Sequence, residues 1–552
     1  MGQNDSFCNA AILSDRESRT LIEQTPPDAA SQPTDLAARQ TFGSTEPANQ
    51  AVTATELVAP ENRRRQRAAN AALLTSASFA GANAIRFGNN LVLSYLLAPE
   101  IFGLMALANV TIQAVQMFFE LGVGTCLIQH PRGEEPEFAN TAWTIQMIRG
   151  PIISLFTCLL AYPLAVWYEE PQVFPVVLAL SIIPIMQCAC STATYIAGRR
   201  LELGRLTALE LTSQLIGCVL MCFAAWRWAS VWALVLGTSA TVLIHTVGSH
   251  LLFSHTRNRL AWNRDAAKAI FGFGKWITFG TAVTFLAIQI DRLILGKIGT
   301  LSELGLYHLA MSVASLTPLA VTRMAAVVQF PLMSEAARER PAKLATILKQ
   351  TRHPLLIAGL ILSLGSVISG PLLFDLLYEE RYQQAGWIVQ MMFVATWFTV
   401  LSKSTDRVFV ALGDTRLGAF TMLVGVVACL VGSTIGYLYA GLTGFCLGAG
   451  GGAIINQLAI YPALKHHGLK CYREDAIFTA IAGLSFAVVY WVQNSAWIAS
   501  LGASWAKAPP MFGHWLALTA FCGVTLAYVL FQVRAGTSQL WQRASFATQT
   551  TR

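Results

Sequence analysis

The sequence is short of charge. Only 12% of its 552 residues are Asp, Glu, Lys or Arg, and 54% are hydrophobic, whereas soluble domains are about 25% charged. The mean hydropathy of +0.50 agrees with this bias. The net charge of +8 does not indicate a nucleic-acid surface, because Lys and Arg gather in the connections between apolar segments. The composition excludes an ordinary soluble domain and predicts a polytopic membrane protein.

Several motifs are missing as well. The chain has no GxxxxGKS or GxxxxGKT phosphate loop, which excludes a pump driven by its own ATP hydrolysis. The cysteine pairs Cys188/Cys190 and Cys218/Cys222 lack the nearby His or carboxylate ligands of a structural zinc site. We therefore expect no metal and no bound cofactor. The glycine-rich run 444–452 lacks the strand and lysine of a nucleotide loop and instead predicts close helix packing.

The first 68 residues differ from the rest. They are rich in Gln, Thr, Ala, Pro and acids and contain no apolar run, so they predict a disordered cytoplasmic tail. No basic start followed by an apolar core is present, and we expect no cleavable signal peptide. The first apolar span is therefore expected to direct insertion itself.

The remainder consists of apolar stretches long enough to cross a bilayer, which takes about 20 helical residues. They predict an all-α polytopic membrane protein with about 14 transmembrane helices. The predicted spans are 71–98, 102–128, 141–167, 173–197, 207–226, 231–253, 274–296, 303–332, 354–377, 385–411, 417–439, 442–464, 475–493 and 511–533.

The connections between these spans carry an orientation signal. If the amino terminus is cytoplasmic, the even-numbered connections hold seventeen Lys and Arg residues, Arg352 among them, and the odd-numbered ones hold four. Positive residues concentrate on the cytoplasmic side of membrane proteins. The sequence therefore predicts that both termini are cytoplasmic.

An internal echo indicates duplication. Residues 91–108 (LVLSYLLAPEIFGLMALA) resemble residues 293–310 (LILGKIGTLSELGLYHLA) at an offset of 202, and Gly103 recurs as Gly305. Spans one to six and seven to twelve then form two halves of the same orientation, and repeats of this kind place a transport site between them. The predicted domains are a tail (1–68), a first six-helix bundle (69–265), a second six-helix bundle (266–466), and two additional helices with a short cytoplasmic tail (467–552).

Ionisable residues inside the predicted spans are the candidate site. Each costs about 2.5–3.5 kcal/mol at the centre of a lipid-facing helix, so most must face one another or water. Guanidinium groups stay charged and suit phosphate. One hypothesis is therefore an anion-binding cavity, and the alternative is internal ion pairing of Asp291 with Arg86 or Arg149, and of Asp406 with Lys403 or Arg407. The candidate cavity residues are Arg86, Asn89, Asn90, Arg149, Asp291, Arg292 and Arg323.

Asn89 and Asn90 are candidates because of the internal sequence repeat. Extended two residues upstream, it aligns Asn89 and Asn90 with Asp291 and Arg292. The first half thus carries neutral amides where the second half carries charges. We expect hydrogen bonds to sugar in the first half and ionic contacts in the second.

Several stretches between about residues 70 and 465 carry a family resemblance. LLAPEIFGLMALA, FFELGVGTCLIQ, FANTAWTIQMIRG, GRRLELGRLTALELTS, FGFGKWITFG and IQIDRLILGKIG with LGLYHLA resemble the bacterial polysaccharide-export flippases of the Wzx type. These belong to the multidrug/oligosaccharidyl-lipid/polysaccharide exporter superfamily. The resemblance implies two six-helix bundles around a cationic cavity, with Asp291 and Arg292 as the span-seven pair and Arg86 and Arg149 as the arginines of spans one and three. The long polar tail departs from the family pattern.

The resemblance also implies a function. Such a carrier moves an undecaprenyl-pyrophosphate-linked oligosaccharide to the periplasmic leaflet of the inner membrane, for capsule, exopolysaccharide or O-antigen synthesis. Membrane lipid and this lipid-linked substrate are the expected partners, polysaccharide polymerase and chain-length proteins are candidates, and nucleic acid is not expected. Without an ATP site, a proton or sodium gradient must drive cycling, with Glu120, Asp291 or Asp406 as the coupling carboxylate.

Two alternatives remain open. A drug or small-cation exporter of the same superfamily predicts an acidic cavity, whereas the charges within these spans are mostly Arg. A polysaccharide polymerase or ligase would be an enzyme with catalytic residues on a long periplasmic connection. The longest odd-numbered connection, residues 493–510, has no His, Asp or Glu, so we expect a carrier and not an enzyme.

Overall fold

The computed structural model describes residues 78–200, 202–253, 258–339 and 343–494. Within these ranges every regular element is helical and no strand occurs. The predicted tail (1–68), the fourteenth span and the carboxyl terminus lie outside the described residues. The helices are α1 (78–96), α2 (Pro99–Phe118), α3 (Val123–Gln129), α4 (Pro136–Trp167), α5 (Val173–Leu180), α6 (Ile182–Cys188), α7 (Ala193–Arg199), α8 (Leu203–Trp228), α9 (Val231–Leu252), α10 (Arg264–Ile298), α11 (Leu301–Ala314), α12 (Leu316–Met324), α13 (Phe330–Glu339), α14 (Leu344–Leu377), α15 (Gln384–Met391), α16 (Phe393–Ala411), α17 (Thr415–His466) and α18 (Tyr472–Asn494).

Helix occupies each predicted span from the first to the thirteenth. Among the described residues, eight helices are long and apolar enough to cross a membrane, and up to ten spans result if each of two bent pairs counts as one. The chain is therefore a multi-pass, all-α membrane protein, as the sequence predicts. The fourteenth span is not tested by the described residues.

Two predicted spans are bent. The fourth breaks by 57° between Cys188 and Ala193, and the tenth by 48° beside Phe393. At the first break the backbone N–H of Ser191 donates to the Ser249 hydroxyl of α9 at 3.0 Å. A side chain on a neighbouring helix thus satisfies a group that a continuous helix would bond internally, and the apolar pattern alone contains no sign of it.

The echo marks a close crossing of α2 and α11. A Cβ at Gly103 would overlap the carbonyl of Leu301, and a Cβ at Gly305 would overlap the carbonyl of Pro99. Because Pro99 and Leu301 are also 202 residues apart, the two contacts are equivalent under the duplication. The repeated glycines allow the two helix backbones to approach each other from both halves of the chain.

Side chains from both halves close the end of the bundle that carries the odd-numbered connections. The Tyr95 hydroxyl donates to the Leu377 carbonyl and the Tyr382 hydroxyl to the Leu97 carbonyl, each at 2.6 Å. The Lys297 ammonium lies 2.8 Å from a Glu169 carboxylate oxygen. The largest hydrophobic cluster, which includes Leu97, lies beside these contacts and draws on both halves. The halves are therefore packed against each other at this end.

Glycines hold the two legs of α17 together. The helix turns back at Gly441, whose φ of +57° favours glycine. The legs then meet at Gly436 and Gly444, where a Cβ on either residue would overlap the backbone of the other. The predicted role of the 444–452 run in close packing is confirmed. Further along, a Cβ at Gly425 would lie 2.8 Å from the Cβ of Asn456, so the same packing places Asn456 in the wall of a cavity.

Candidate functional site

A cavity of about 480 Å³ lies among the helices of the predicted second half. Its wall is formed by α10, α11, α12, α16 and both legs of α17, and all its lining residues lie between Thr284 and Asn456. Hydroxyl, amide and charged groups interrupt an otherwise apolar surface. The polar lining residues include Thr284, Asp291, Tyr307, Ser315, Thr322, Thr396, Thr399, Ser402, Lys403, Asp406, Thr421 and Asn456.

Asp291 of α10 is the most enclosed charge of this wall. Its side chain is only 8% exposed, and Oδ2 accepts a 2.6 Å hydrogen bond from the fully buried hydroxyl of Tyr307. The Tyr307 ring packs edge-on against Phe445. Oδ1 has no hydrogen-bond partner among the described residues. A buried carboxylate whose neighbour is neutral is electrostatically favourable for a cation or a proton.

The other two charges of the cavity form a pair. The Lys403 ammonium lies 2.7 Å from the Asp406 carboxylate, one turn away on α16. The structure therefore contains the Lys403–Asp406 pairing that the sequence offered as an alternative. With two carboxylates and one lysine, the wall is not cationic.

The other part of that alternative was an ion pair between Asp291 and Arg86 or Arg149. Asp291 instead bonds Tyr307, and its second oxygen has no partner among the described residues. Arg149 of α4 instead lies 2.9 Å from the Glu120 carboxylate. Glu120 also accepts a 2.9 Å hydrogen bond from the Gly122 amide. Both residues belong to the predicted first half and lie outside the cavity wall.

Asp291 and Arg292 face different surroundings because consecutive helical residues point about 100° apart. Arg292 donates to the Gln289 side chain, and Gln289 donates to Gln113 of α2, each at 2.6 Å. Arg292 is thus held toward the first half of the chain, whereas Asp291 lines a cavity in the second. One buried nitrogen of Arg292, Nε, has no partner among the described residues.

The remaining candidates are dispersed. Arg86 is exposed, and the exposed Arg323 places its guanidinium 5.4 Å from the centre of the Phe79 ring, a contact between α12 and α1. Asn89 donates to Met221 of α8, and Asn90 is half-buried. None of Arg86, Arg149, Arg292 and Arg323 is in the wall of the 480 Å³ cavity. That these arginines line a cavity between the two halves stays a prediction.

One buried ion pair was missed. Arg352, counted among the cations of a connection, instead lies inside α14 with 0% of its side chain exposed. It makes two hydrogen bonds to the carboxylate of Asp475 on α18, at 2.5 and 3.1 Å. Apolar α14 begins ten residues before the predicted ninth span, and the two partners are 123 residues apart. No local pattern in the sequence joins them.

A family model supports the assignment of the chain. The model described as "Polysaccharide biosynthesis protein" matches residues 92–387, more than half of the chain. Similar curated proteins include the teichuronic acid biosynthesis protein TuaB of Bacillus subtilis (20% identical over 55% of this chain and 63% of the relative) and the lipopolysaccharide biosynthesis protein WzxC of Escherichia coli (21%, 55% and 61%). The succinoglycan biosynthesis transport protein ExoT of Rhizobium meliloti is 21% identical over 49% of this chain and 55% of the relative. The chain thus matches less than two thirds of the length of these relatives.

Solved structures share the fold. The inward closed conformation of the lipid II flippase MurJ has a TM-score of 0.59 at 11% identity, over 83% of this chain and all of that one. An inward-facing multidrug transporter of the MATE family has a TM-score of 0.55 at 14% identity, over 68% of this chain and 92% of that one. At these identities the likeness establishes a common helical architecture.

Proposed function

Because the chain belongs to the polysaccharide biosynthesis protein family, we propose that it is a carrier that moves a lipid-linked oligosaccharide between the leaflets of the bacterial inner membrane. The observation that carries this proposal is the family match over residues 92–387. The fold shared with a lipid II flippase supports it. The carrier would work by alternating access and would deliver undecaprenyl-pyrophosphate-linked repeat units for capsule, exopolysaccharide or O-antigen synthesis.

We propose the arginines outside the small cavity as the contacts for pyrophosphate. A sugar chain and a pyrophosphate cannot cross hydrocarbon without compensating polar groups. Arg86 and Arg323 are exposed, and Arg323 reaches α1 from α12. Arg149 and Arg292 each keep a buried nitrogen without a partner among the described residues. Asn89 and Asn90 of α1 are the proposed hydrogen-bonding groups for sugar.

Asp291 is the proposed coupling carboxylate. Its neighbour Tyr307 is neutral, whereas Glu120 and Asp406 are already paired with Arg149 and Lys403. An unpaired buried carboxylate gains most from a cation. A proton or sodium ion taken up at Asp291 would couple the gradient to rearrangement of the second half.

We propose that both termini are cytoplasmic, because Lys and Arg concentrate in the even-numbered connections. The closed end at Tyr95, Lys297 and Tyr382 would then be periplasmic, and the substrate would enter from the cytoplasmic leaflet. The two halves, 69–265 and 266–466, would rock against each other at this end. Residues 1–68 and 467–552 are proposed as additions to this core, and polymerase and chain-length proteins as candidate partners.

A drug or small-cation exporter is the second candidate, since the 480 Å³ cavity has two carboxylates and one lysine. Deleting the gene distinguishes the candidates. Lipid-linked repeat units accumulating in the cytoplasmic leaflet would support the flippase. Single units accumulating in the periplasmic leaflet would indicate a polymerase, and an unchanged leaflet distribution would favour the exporter.

A further inference from the structure

A second internal repeat lies at the closed end of the bundle. Residues 168–170 (YEE), which directly follow α4, recur as residues 378–380, which directly follow α14, at an offset of 210. Trp167 is the last residue of α4, and Leu377 is the last residue of α14. The two helix ends are therefore equivalent positions in the two halves of the chain.

The first repeat supplies the side chains that reach these ends. At its offset of 202, Tyr95 corresponds to Lys297, and each is the last residue but one of its helix, α1 or α10. The Tyr95 hydroxyl donates to the Leu377 carbonyl at 2.6 Å, and the Lys297 ammonium donates to the Trp167 carbonyl at 2.7 Å. Each half thus binds the same helix end of the other half.

Both acceptors are groups that a helix leaves unbonded. The last carbonyls of an α-helix have no partner within the helix and carry partial negative charge, so a phenol and an ammonium can both satisfy them. Since each acceptor is a backbone oxygen, the donor side chain alone decides whether the contact forms. The two contacts are therefore the same interaction made with two different donors.

The two contacts differ in charge and in the turn beside them. Lys297 also pairs with the Glu169 carboxylate, and Glu169 has a φ of +60°, a conformation that residues other than glycine rarely adopt. Its counterpart Glu379 has a φ of −67° and pairs instead with Arg381, within its own half. A strained turn of this kind persists only where its surroundings hold it. The strained turn thus occurs in the half whose end is bound by a lysine.

We propose that Tyr95 and Lys297 are two equivalent locks that hold the halves together at this end, and that both must release before the substrate can leave there. This inference rests on the proposed alternating access. α1 and α10 cannot stay bound to the ends of α14 and α4 while the halves separate, because a hydrogen bond is lost once donor and acceptor are more than about 3.5 Å apart.

A third contact at this end, from Tyr382 to the Leu97 carbonyl, has no equivalent in the other half, since the residue 210 positions before Tyr382 is Gln172. It stays in place when the two locks are removed. Loss of the locks therefore shifts the balance from the closed toward the open state without abolishing the closed state.

The test measures the distance between the halves at this end, in the full-length protein in detergent without substrate. Spin labels are attached through ketone-bearing residues introduced at Arg227 of α8 and Tyr439 of α17, so that the native cysteines stay in place. Both positions are exposed, belong to opposite halves and make neither lock contact.

Tyr95→Phe and Lys297→Met each remove one lock, and the double variant removes both. Tyr437→Phe is the matched control, because the Tyr437 hydroxyl donates to Glu303 at 2.9 Å within the second half. In the exchanged variant Tyr95→Lys/Lys297→Tyr, each helix end still meets a donor of similar length.

We expect the ratio of long to short label distances to rise about two- to tenfold in each single variant, and by about the product of the two effects in the double variant. Tyr437→Phe and the exchanged variant should keep the wild-type distances. Wild-type distances in the double variant would overturn the locks. An exchanged variant that opens like the double variant would overturn their equivalence. Movement of the lipid-linked oligosaccharide is measured separately by the leaflet assay, so failure of the flippase proposal is distinguishable from failure of the locks.

Discussion

Breaking the Arg352–Asp475 pair one side at a time should destabilise the protein far more than removing both charges. Both side chains are at most 1% exposed, so Asp475→Leu leaves a guanidinium buried without its counter-ion, and Arg352→Met leaves a carboxylate. A lone buried charge of this kind costs about 3–5 kcal/mol, whereas replacing both partners by apolar residues of similar size is close to neutral. The double variant should therefore melt well above either single variant, but below the wild type, because Gln457 and Tyr461 lose the carboxylate to which they donate.

Thermal unfolding followed with a thiol-reactive dye measures this cycle. Cys126, Cys188, Cys446 and Cys471 are buried and react when the fold opens. The two single variants should each lower the melting temperature, and the double variant should recover most of the loss, which is a coupling of several kcal/mol. Losses that simply add in the double variant would refute a direct charge pair at this position.

Three further predictions concern the crossing, the cavity and the substrate contacts. Gly305→Val should separate α2 from α11 and widen the distance between spin labels on the connections after α1 and α14. The control Gly483→Val should leave this distance unchanged, because a side chain there meets open space. An unchanged distance in Gly305→Val would contradict the close crossing. Asp291→Asn should abolish the dependence of transport on the coupling ion at normal protein levels, while Asp406→Asn should keep it, and retained coupling in Asp291→Asn would assign that role elsewhere. Arg292→Ala at normal expression should reduce export of the polysaccharide at least about tenfold, since a charged hydrogen bond is worth about 1.5–3 kcal/mol, and full export would remove Arg292 from the pyrophosphate contacts.

The membrane helices were predictable from the sequence because each apolar run must satisfy its backbone internally. The two apolar runs 417–439 and 442–464 were predictable as a helical hairpin, and the turn between them falls on Gly441. The internal sequence repeat also coincides with a specific helix contact. Its repeated glycines, Gly103 and Gly305, are the residues at which α2 and α11 cross.

The site was less predictable because charge pairing depends on tertiary neighbours. Arg352 precedes an apolar run and has the appearance of a loop cation, yet its partner Asp475 lies 123 residues away on another helix. Asp291 and Arg292 are adjacent in sequence, but the turn of the helix directs them to different surroundings. Hydropathy shows which charges lie within apolar runs, but it did not identify Arg352 as buried, and it contains no information on which partner each charge meets.

The most direct measurement of the central claim is reconstitution. The purified full-length protein is placed in vesicles with lipid-linked oligosaccharide extracted from the deletion strain, and the fraction of sugar open to an added glycosidase is followed after an ion gradient is imposed. We predict that sugar initially protected inside the vesicles becomes accessible with the wild-type protein when the gradient is imposed, and that with Asp291→Asn the accessible fraction no longer responds to the gradient. Sugar that stays protected with the wild-type protein would contradict the flippase assignment.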